Sequence, residues 1–390
     1  MQFDIIIIGG GMVGAALACS LRHTNLKIAL VDATTQTTED HRLIALNYSS
    51  YCLFQNLDIW KTLAPHAEAI KEVHVSHQGH FGITRLTAAE TSYPTLGYVV
   101  PAKYITPALY ENLAHITLIQ PATLVNLVQE TDQVALTIET NEGIKNLTGK
   151  YIIGADGNHS TVRKLLNIST TTTDYQQSAL VTITELQRSH HNIAYERFQK
   201  EGAIAMLPLT DNRAATIWTA SNTVISELMQ LDDATFLQHL QTQFGYRLGR
   251  YNKIQKRYTY PLQMIKAETQ LKGRTILIGN AAHALHPIAA QGFNLALYEI
   301  AVLADYFADN PIETITLTNF SMQQQKTSMR LSHHLTWLFS KDFFMLNAAR
   351  LVGMLGLDLC LPLKEHFTRR AIGQTGQIPS LLQGKPYETN

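Results

Sequence analysis

Three glycines near the start of the chain have the spacing that lets a polypeptide hold a pyrophosphate. Gly9, Gly11 and Gly14 follow the apolar run of residues 4–8 and open a small, apolar stretch that predicts a helix. The first glycine permits a tight turn, the second lets the backbone approach phosphates, and the third lets helix and strand pack closely. Exposed N–H groups and the helix dipole favour the negative charge. The predicted contacts of this turn are Gly9, Gly11, Met12, Val13 and Gly14.

An acidic residue stands at the end of the next predicted strand. Residues 27–31 form an apolar run that ends in Asp32. A carboxylate at that place accepts hydrogen bonds from the ribose hydroxyls of adenosine. Strand, glycine turn, helix, strand and acid in this order predict a dinucleotide-binding βαβ unit.

A second glycine-containing segment, far downstream, indicates a particular dinucleotide. The predicted strand 275–278 runs into Gly279-Asn280-Ala281-Ala282-His283, and a predicted helix opens near Gly292. Asn280 can reach a ribityl chain, and a helix start aimed at the N1 and C2 carbonyl side of an isoalloxazine stabilises the anionic reduced flavin. A plain nicotinamide dehydrogenase has no use for such a segment, so the two segments together predict FAD. The predicted contacts here are Gly279, Asn280, Pro287, Gln291, Gly292, Phe293 and Asn294.

A third turn lies between these two segments. The predicted strand 151–153 leads into Gly154-Ala155-Asp156-Gly157, and a short helical stretch with Arg163 follows. Alone, Asp-Gly is a common turn. Behind a dinucleotide fold it predicts backbone contact near the pyrophosphate, with Asp156 and Gly157 in the turn and Arg163 balancing charge.

The elements that must position these turns divide the chain into three parts. Residues 1–72, 97–174 and 262–318 are expected to form a discontinuous FAD-binding domain, with helices over 45–57 and 103–115. Residues 73–96 and 175–261 show the alternation of strands and are expected to form a sheet domain for the substrate. Residues 319–390 are expected to form a C-terminal helical region. Its apolar residues predict either packing on the flavin domain or a dock for membrane or partner proteins.

Composition excludes several classes of function. Hydrophobic residues make up 45% of the 390 residues, and Lys plus Arg balances Asp plus Glu at 31 each, so the chain is globular with no electrostatic reason to bind nucleic acid. No metal site is expected, because no helix-spaced histidine pair carries a matching carboxylate. The three cysteines form no CxxC pair and predict a reducing compartment. We expect a cytoplasmic protein, with contact to the inner membrane as an added expectation, because the stretch 343–361 is too short and too charged to span a bilayer.

The three motifs in this order resemble the class A flavoprotein aromatic hydroxylases, and within them the hydroxylases of ubiquinone biosynthesis. Asp40-His41-Arg42-Leu43-Ile44-Ala45-Leu46 is similar to their Asp-x-Arg-x-x-Ala-Leu segment, which implies that Arg42 approaches the flavin. The segment 279–283 has the Asn form typical of that branch, and residues 74–82 most closely resemble the 2-polyprenyl-6-methoxyphenol hydroxylases. The resemblance covers roughly residues 1–370. It implies a p-hydroxybenzoate hydroxylase-like α/β fold: a Rossmann-type βαβ FAD-binding fold with an inserted β-sheet substrate domain and C-terminal helices.

Some residues depart from the pattern of this family. Asp32 replaces a longer glutamate, and Ala290 and Ala296 replace glycines around the flavin helix. Tyr298-Glu299 stands where an Arg-Asp pair is common.

The resemblance implies an FAD-dependent monooxygenase that hydroxylates the ring of a polyprenylated phenol in ubiquinone biosynthesis through a C4a-hydroperoxyflavin. The expected partners are the phenol, O2, and either a membrane surface or other proteins of the pathway. NADPH would bind only transiently, because there is no second fingerprint, and a protein electron donor is the alternative. The sequence assigns no base for the phenol proton. Two other functions stay open: a same-fold FAD oxidoreductase acting on another substrate, and a non-catalytic subunit of a biosynthetic complex.

Overall fold

Two large sheets and one small sheet organise the chain. In the computed structural model, the described residues are 1–35, 40–79, 83–200, 202–284, 291–310, 312, 361–376 and 378–383. The strands are β1 (Gln2–Ile8), β2 (Ile28–Val31), β3 (Leu43–Asn47), β4 (Glu68–Ile70), β5 (Glu72–His77), β6 (Ile83–Thr87), β7 (Gly97–Pro101), β8 (Thr117–Ile119), β9 (Ala122–Gln129), β10 (Val134–Thr140), β11 (Gly143–Gly154), β12 (Thr170–Leu186), β13 (Ile193–Gln199), β14 (Gly202–Leu209), β15 (Arg213–Ser221), β16 (Tyr251–Ile254), β17 (Tyr258–Ala267), β18 (Leu271–Lys272), β19 (Thr275–Leu277) and β20 (His283–Ala284).

Nine helices lie within the described residues. They are α1 (Met12–Ser20), α2 (Tyr48–Asn56), α3 (Trp60–Leu63), α4 (Ala102–Tyr110), α5 (Thr161–Leu165), α6 (Asn222–Gln230), α7 (Asp233–Phe244), α8 (Gln291–Asp309) and α9 (Leu361–Ala371). Short 3-10 turns occur at Ala64–His66, Ala88–Glu90, Gly279–Ala281 and Ser380–Leu382.

The first sheet has a parallel centre. Its strands β19, β11, β1, β2 and β8 lie side by side in that order and run in the same direction. β1 is buried on both faces: Ile5 and Ile7 belong to the core formed with α1, α4 and α8, whereas Ile6 and Ile8 belong to the core formed with β9, β10 and α5. A continuous apolar run is what a strand covered on both faces requires.

The second sheet combines two distant segments. β5 and β6 join it because β5 pairs in parallel with β13, and the order continues through β14, β15, β12 and β17 to β20. β12 and β17 each cross an expected domain boundary, at residues 174/175 and 261/262, so the division into domains stays a prediction.

One helix begins later than its sequence pattern indicates. The prediction of a helix over 45–57 is wrong at its start, because residues 45–47 belong to β3 and pair with β7 in the small sheet of β3, β7 and β4. The helix begins only at Tyr48, since the Asn47 side chain accepts a hydrogen bond from the Ser50 N–H and caps it. α7 has a clear start and end, with Asp232 as its N-cap and Gly245 at φ +94° after its last residue.

The described C-terminal residues pack on the core. Ile372, Leu381 and Leu382 are buried, and the Asn56 side chain donates to the Leu381 carbonyl at 2.7 Å. The residues between 313 and 360, which carry most of the apolar density expected of a dock, lie outside the described residues.

Candidate flavin and substrate site

The three glycine turns lie side by side. Ile8 of β1 pairs with Gly154 of β11, and Gly154 pairs with Leu277 of β19. The Ala155 N–H donates to the Ile8 carbonyl at 2.7 Å, and the Ile278 N–H donates to the Gly154 carbonyl at 2.9 Å. Turns that the sequence separates by more than a hundred residues therefore meet at the carboxyl edge of one parallel sheet, where open α/β sheets bind ligands.

The first turn assigns different tasks to its glycines. Gly9 has φ +106°, and a β-carbon on it would lie 2.5 Å from the Ala155 carbonyl oxygen. A β-carbon on Gly14 would lie 1.9 Å from the Gly9 oxygen, so both positions are closed by packing. At Gly11 a β-carbon would meet no described atom within 4 Å. The middle glycine thus faces open space, which fits a backbone that must approach a pyrophosphate.

The start of α1 is free to receive an anion. No side chain caps it, and its first turn, which contains Met12 and Val13, carries no acidic residue. Its first N–H groups lack intrahelical acceptors, as at any helix start. The open space at Gly11 together with these N–H groups fits the phosphates of FAD.

Asp32 holds the turn from the side of β2. Its Oδ2 accepts from the Gly10 N–H, and its Oδ1 accepts from the Thr34 N–H and hydroxyl at 2.8 Å each. Tyr110, which the sequence analysis missed, donates its hydroxyl proton to the Gly10 carbonyl at 2.9 Å. Burial first, and then the nearby Asp32 charge, raise the pKa of Tyr110 to about 12, so it stays a donor. The ribose contact of Asp32 remains a prediction.

Asp156 has one carboxylate oxygen engaged and one unengaged. Oδ2 accepts from the Thr161 and Val162 N–H groups at 2.7 and 3.1 Å, whereas Oδ1 is buried and has no partner in the described part of the chain. A buried oxygen of this kind calls for a ligand or water. The neighbouring Arg163 donates to the Ala281 and Asn158 carbonyls at 2.7 and 2.6 Å, so it ties two turns together. Its contact with the cofactor, like that of Gly157, stays a prediction.

The buried carboxylate of Glu299 holds the turn that begins at Gly279. Gly279 has φ +54°, and a β-carbon there would lie 3.1 Å from the Val13 methyls, so the first and last motifs touch. The Gly279 N–H donates to Glu299 Oε2 at 2.8 Å, and His283 Nε2 lies 2.5 Å from Glu299 Oε1. Glu299 and His283 are both fully buried. Asn280, in contrast, is exposed at the sheet edge, where a ligand can reach it.

Hydrogen bonds of the Asn294 side chain hold the start of α8 against β3 and α2. α8 begins at Gln291. The Asn294 Oδ1 accepts from the Asn47 N–H at 2.9 Å and the Ser50 hydroxyl at 2.7 Å, and its amide donates to the Ala45 carbonyl at 2.9 Å. These contacts fix the helix start against β3, and the predicted contact of Asn294 with FAD stays a prediction.

Three further residues of this segment were predicted to contact FAD: Pro287, Gly292 and Phe293. Phe293 lies 6.5 Å from Phe54, ring centre to ring centre, and a β-carbon on Gly292 would meet no described atom within 4 Å. Pro287 lies outside the described residues.

Arg42 directly precedes β3 of the small sheet and lies near Tyr260 of β17 in the second sheet. Its guanidinium donates from Nε to Asp40 at 2.9 Å, and this hydrogen bond is the first cause that raises the pKa of Arg42. Burial alone would raise the pKa of Asp40, but the bonds and charge of Arg42 outweigh it and lower that pKa. Next to them, the His41 ring stacks on Tyr258 of β17 at 4.2 Å.

The second sheet turns an apolar face toward β3. Ala194, Ala215 and Leu86 from this face share one core with Val99 of β7, and Leu43 and Ala45 pack against that core. The opposite face packs on α6 and α7. Aliphatic side chains of the second sheet therefore cover the residues directly after Arg42.

Known proteins are similar to this chain in sequence and in fold. The FAD binding domain family matches residues 2–310. The chain is 28% identical to ubiquinone hydroxylase UbiL of Rhodospirillum rubrum, over 98% of this chain and 93% of that protein. It is 29% identical to 3-demethoxyubiquinol 3-hydroxylase of Escherichia coli, over 77% of this chain and 78% of that protein. The crystal structure of p-nitrophenol 4-monooxygenase PnpA from Pseudomonas putida superposes with a TM-score of 0.79 at 14% identity, covering 97% of this chain and 100% of that one.

The chain belongs to the FAD-dependent hydroxylase family of ubiquinone biosynthesis. This membership confirms the predicted p-hydroxybenzoate hydroxylase-like fold, the FAD cofactor and the monooxygenase class of this hydroxylase. Among the described residues, no three metal-binding side chains group together, and no helix has the length and hydropathy to cross a membrane.

Sequence reasoning missed two residues of this hydroxylase site. Tyr110 carries no motif, and only the fold brings α4 to Gly10. Glu299 was noted as a departure from an Arg-Asp pair, and its spacing of 16 residues from His283 gave no sign that the two side chains meet.

Proposed function

We propose that this hydroxylase adds a hydroxyl group to the aromatic ring of a polyprenylated phenol, with O2 as the oxygen source. The apolar face of the second sheet, opposite the start of β3 directly after Arg42, is the observation that carries this proposal. An aliphatic surface favours a prenylated ring over a charged metabolite, because it offers no polar partner to a charge.

FAD, once reduced, supplies the oxygen-transfer chemistry. The chain's own residues hold and orient it: the α1 start binds its phosphates, Asp32 its ribose, and the Gly279–Asn280 turn and the α8 start its flavin end. The apolar face of the second sheet positions the ring and excludes water, and the exclusion of water strengthens electrostatic interactions inside the site.

The electron donor is NADPH or a partner protein. The described residues contain one glycine fingerprint, which FAD occupies in this proposal, so NADPH would bind only transiently. Because a polyprenyl tail is too long to be enclosed, we further propose that the site opens toward a membrane surface or a lipid-carrying protein of the pathway.

Quinone profiling of a deletion strain tests this function. The proposal expects ubiquinone to fall and a prenylated phenol lacking one ring hydroxyl to accumulate, with recovery on expression of the wild-type chain. Unchanged ubiquinone would contradict it and favour a same-fold oxidoreductase with another substrate. Ubiquinone rescued equally by a chain that binds no flavin would instead indicate a non-catalytic subunit.

A further inference from the structure

One carboxyl group interrupts the apolar face of the second sheet. Side chains alternate between the two faces of a strand, so Glu196 of β13 shares its face with Ala194. Its register partners are Val75 of β5 and Ala205 of β14, and Ala205 in turn pairs with Ile217 of β15. Across β12 to β15, this face otherwise carries only Ala, Val, Ile, Leu, Phe and Thr side chains at residues 179–183, 194–198, 203–207 and 215–219.

The proposed function places the substrate against this face. Ala194, two residues before Glu196, is part of the core that includes Val99 and against which Leu43 and Ala45 pack. Tyr195, on the opposite face, packs instead in the core of α6 and α7. Glu196 therefore lies on the face of the second sheet that is turned toward β3 and β7, and not on the face that packs on α6 and α7.

The carboxyl of Glu196 is not used to hold the fold together. The Glu196 carboxyl forms no hydrogen bond or ion pair with the described part of the chain. The side chain is half-buried, so a small molecule can reach it. Burial is the only cause that acts on its pKa and raises it to about 7. A structural acid normally has partners, whereas unpaired acids with raised pKa values concentrate at functional sites.

Several titratable groups share this side of the sheet with Glu196. On the same face, β5 contributes His77, and β17 contributes Tyr258 and Tyr260, which pair with Val181 and Ala179. The small sheet contributes Glu68, which accepts from the Asn192 amide. His74, Arg197 and Arg247 lie toward the outer face, where Arg247 contacts the His74 ring.

We propose that Glu196 accepts the phenolic proton of the substrate during hydroxylation. This assignment rests on the proposed function of the site. The substrate class it implies is a ring with a free hydroxyl, because an ether or a quinone has no proton to give.

The proton transfer activates the ring. The phenolic O–H bond breaks as a new O–H bond forms on the Glu196 carboxylate, and the freed electron pair moves into the ring. The ring carbon would then take one oxygen atom of O2 and give up its hydrogen as a proton, which is balanced by the proton of the new hydroxyl group. The bound reduced flavin would supply the two electrons and two protons with which the second oxygen atom leaves as water. A base with a pKa near 7 suits this task better than an ordinary glutamate, because it gains more driving force against a phenol.

A pair of isosteric variants tests the assignment. Glu196→Gln keeps the shape and removes the base, and Glu227→Gln makes the same change on the exposed side of α6 in the same sheet domain. With a short-chain prenylated phenol, Glu196→Gln is expected to lower kcat about a hundred-fold or more. Wild type and Glu227→Gln should lose activity as pH falls through about 7, whereas the activity of Glu196→Gln should not fall in this pH range. If Glu196→Gln still loses activity there, another group such as His77 causes the loss and the assignment is wrong.

Two further measurements separate this claim from the proposed function and from mere misfolding. The kcat deficit of Glu196→Gln should shrink with ring-halogenated phenols of increasing acidity, because these need less help to ionise. In titrations of the oxidised, FAD-loaded protein, wild type should bind the phenol more tightly than its O-methyl ether, and Glu196→Leu should lose this preference at unchanged FAD content. A deficit independent of phenol acidity, or an unchanged preference, overturns the role of Glu196. A wild-type protein that hydroxylates no phenol at all overturns the proposed function instead.

Discussion

Glu299 accepts a hydrogen bond from the backbone N–H of Gly279 at 2.8 Å. The same carboxylate lies 2.5 Å from His283 Nε2 and is fully buried, so one side chain of α8 fixes the turn that follows β19. The family pattern has an Arg-Asp pair here, and this chain keeps an acid at the second position.

We expect Glu299→Ala to destabilise the protein and to loosen its FAD. Truncation leaves the Gly279 N–H and the His283 ring buried without this acceptor, and each buried group without a partner costs about 1–3 kcal/mol. Urea unfolding of the FAD-loaded protein measures the loss. Glu299→Gln, which keeps one acceptor oxygen, should lose less, and equal stability of wild type and Glu299→Ala would contradict the positioning role.

The second prediction concerns Gly11. Because a β-carbon there meets no described atom within 4 Å, Gly11→Val should fold and yet fail to bind FAD, as its side chain would occupy the pyrophosphate space. Flavin absorbance per folded chain measures this. Ala234→Val, which adds similar bulk to the exposed first turn of α7, should keep its flavin. A folded Gly11→Val protein with full flavin occupancy would refute the pyrophosphate assignment.

The sequence predicts the glycine turns of the site, but not the distant side chains that support them. The glycine turns, the strands that lead into them and the flavin were readable because each depends on local spacing with a known physical reason. Tyr110, Glu299 and Glu196 were not, because their roles arise when strands and helices far apart in the chain come together. The start of the helix over 45–57 was misplaced for a similar reason, since pairing with β7 overrides the local helix pattern.

The third prediction is that FAD is bound non-covalently. The residues around the three turns offer hydrogen bonds and packing, and the sequence shows no obvious attachment residue. Denaturation should release yellow flavin with the mass of FAD into the supernatant. Flavin that stays with the precipitated chain would show a covalent link.

The fourth prediction uses the pKa of Glu196 without any substrate. Its folded-state pKa is raised from 4.5 to about 7, so the folded state is favoured at low pH and loses this advantage as pH rises through about 7. Glu196→Gln lacks the titration. Its stability relative to wild type should therefore increase by about 1–3 kcal/mol between acidic and alkaline pH. Urea unfolding at several pH values checks this, and a stability difference independent of pH would mean that the carboxyl is not desolvated.

The most direct test of the account is a reaction of the purified, FAD-loaded protein with a prenylated phenol under heavy-isotope O2, with chemically reduced flavin to remove the question of the donor. The account predicts a product with one additional ring hydroxyl that carries the heavy oxygen, and no such product from the Gly11→Val protein. Reoxidation of the flavin with no hydroxylated ring, or a hydroxyl that carries oxygen from ordinary water, would contradict it.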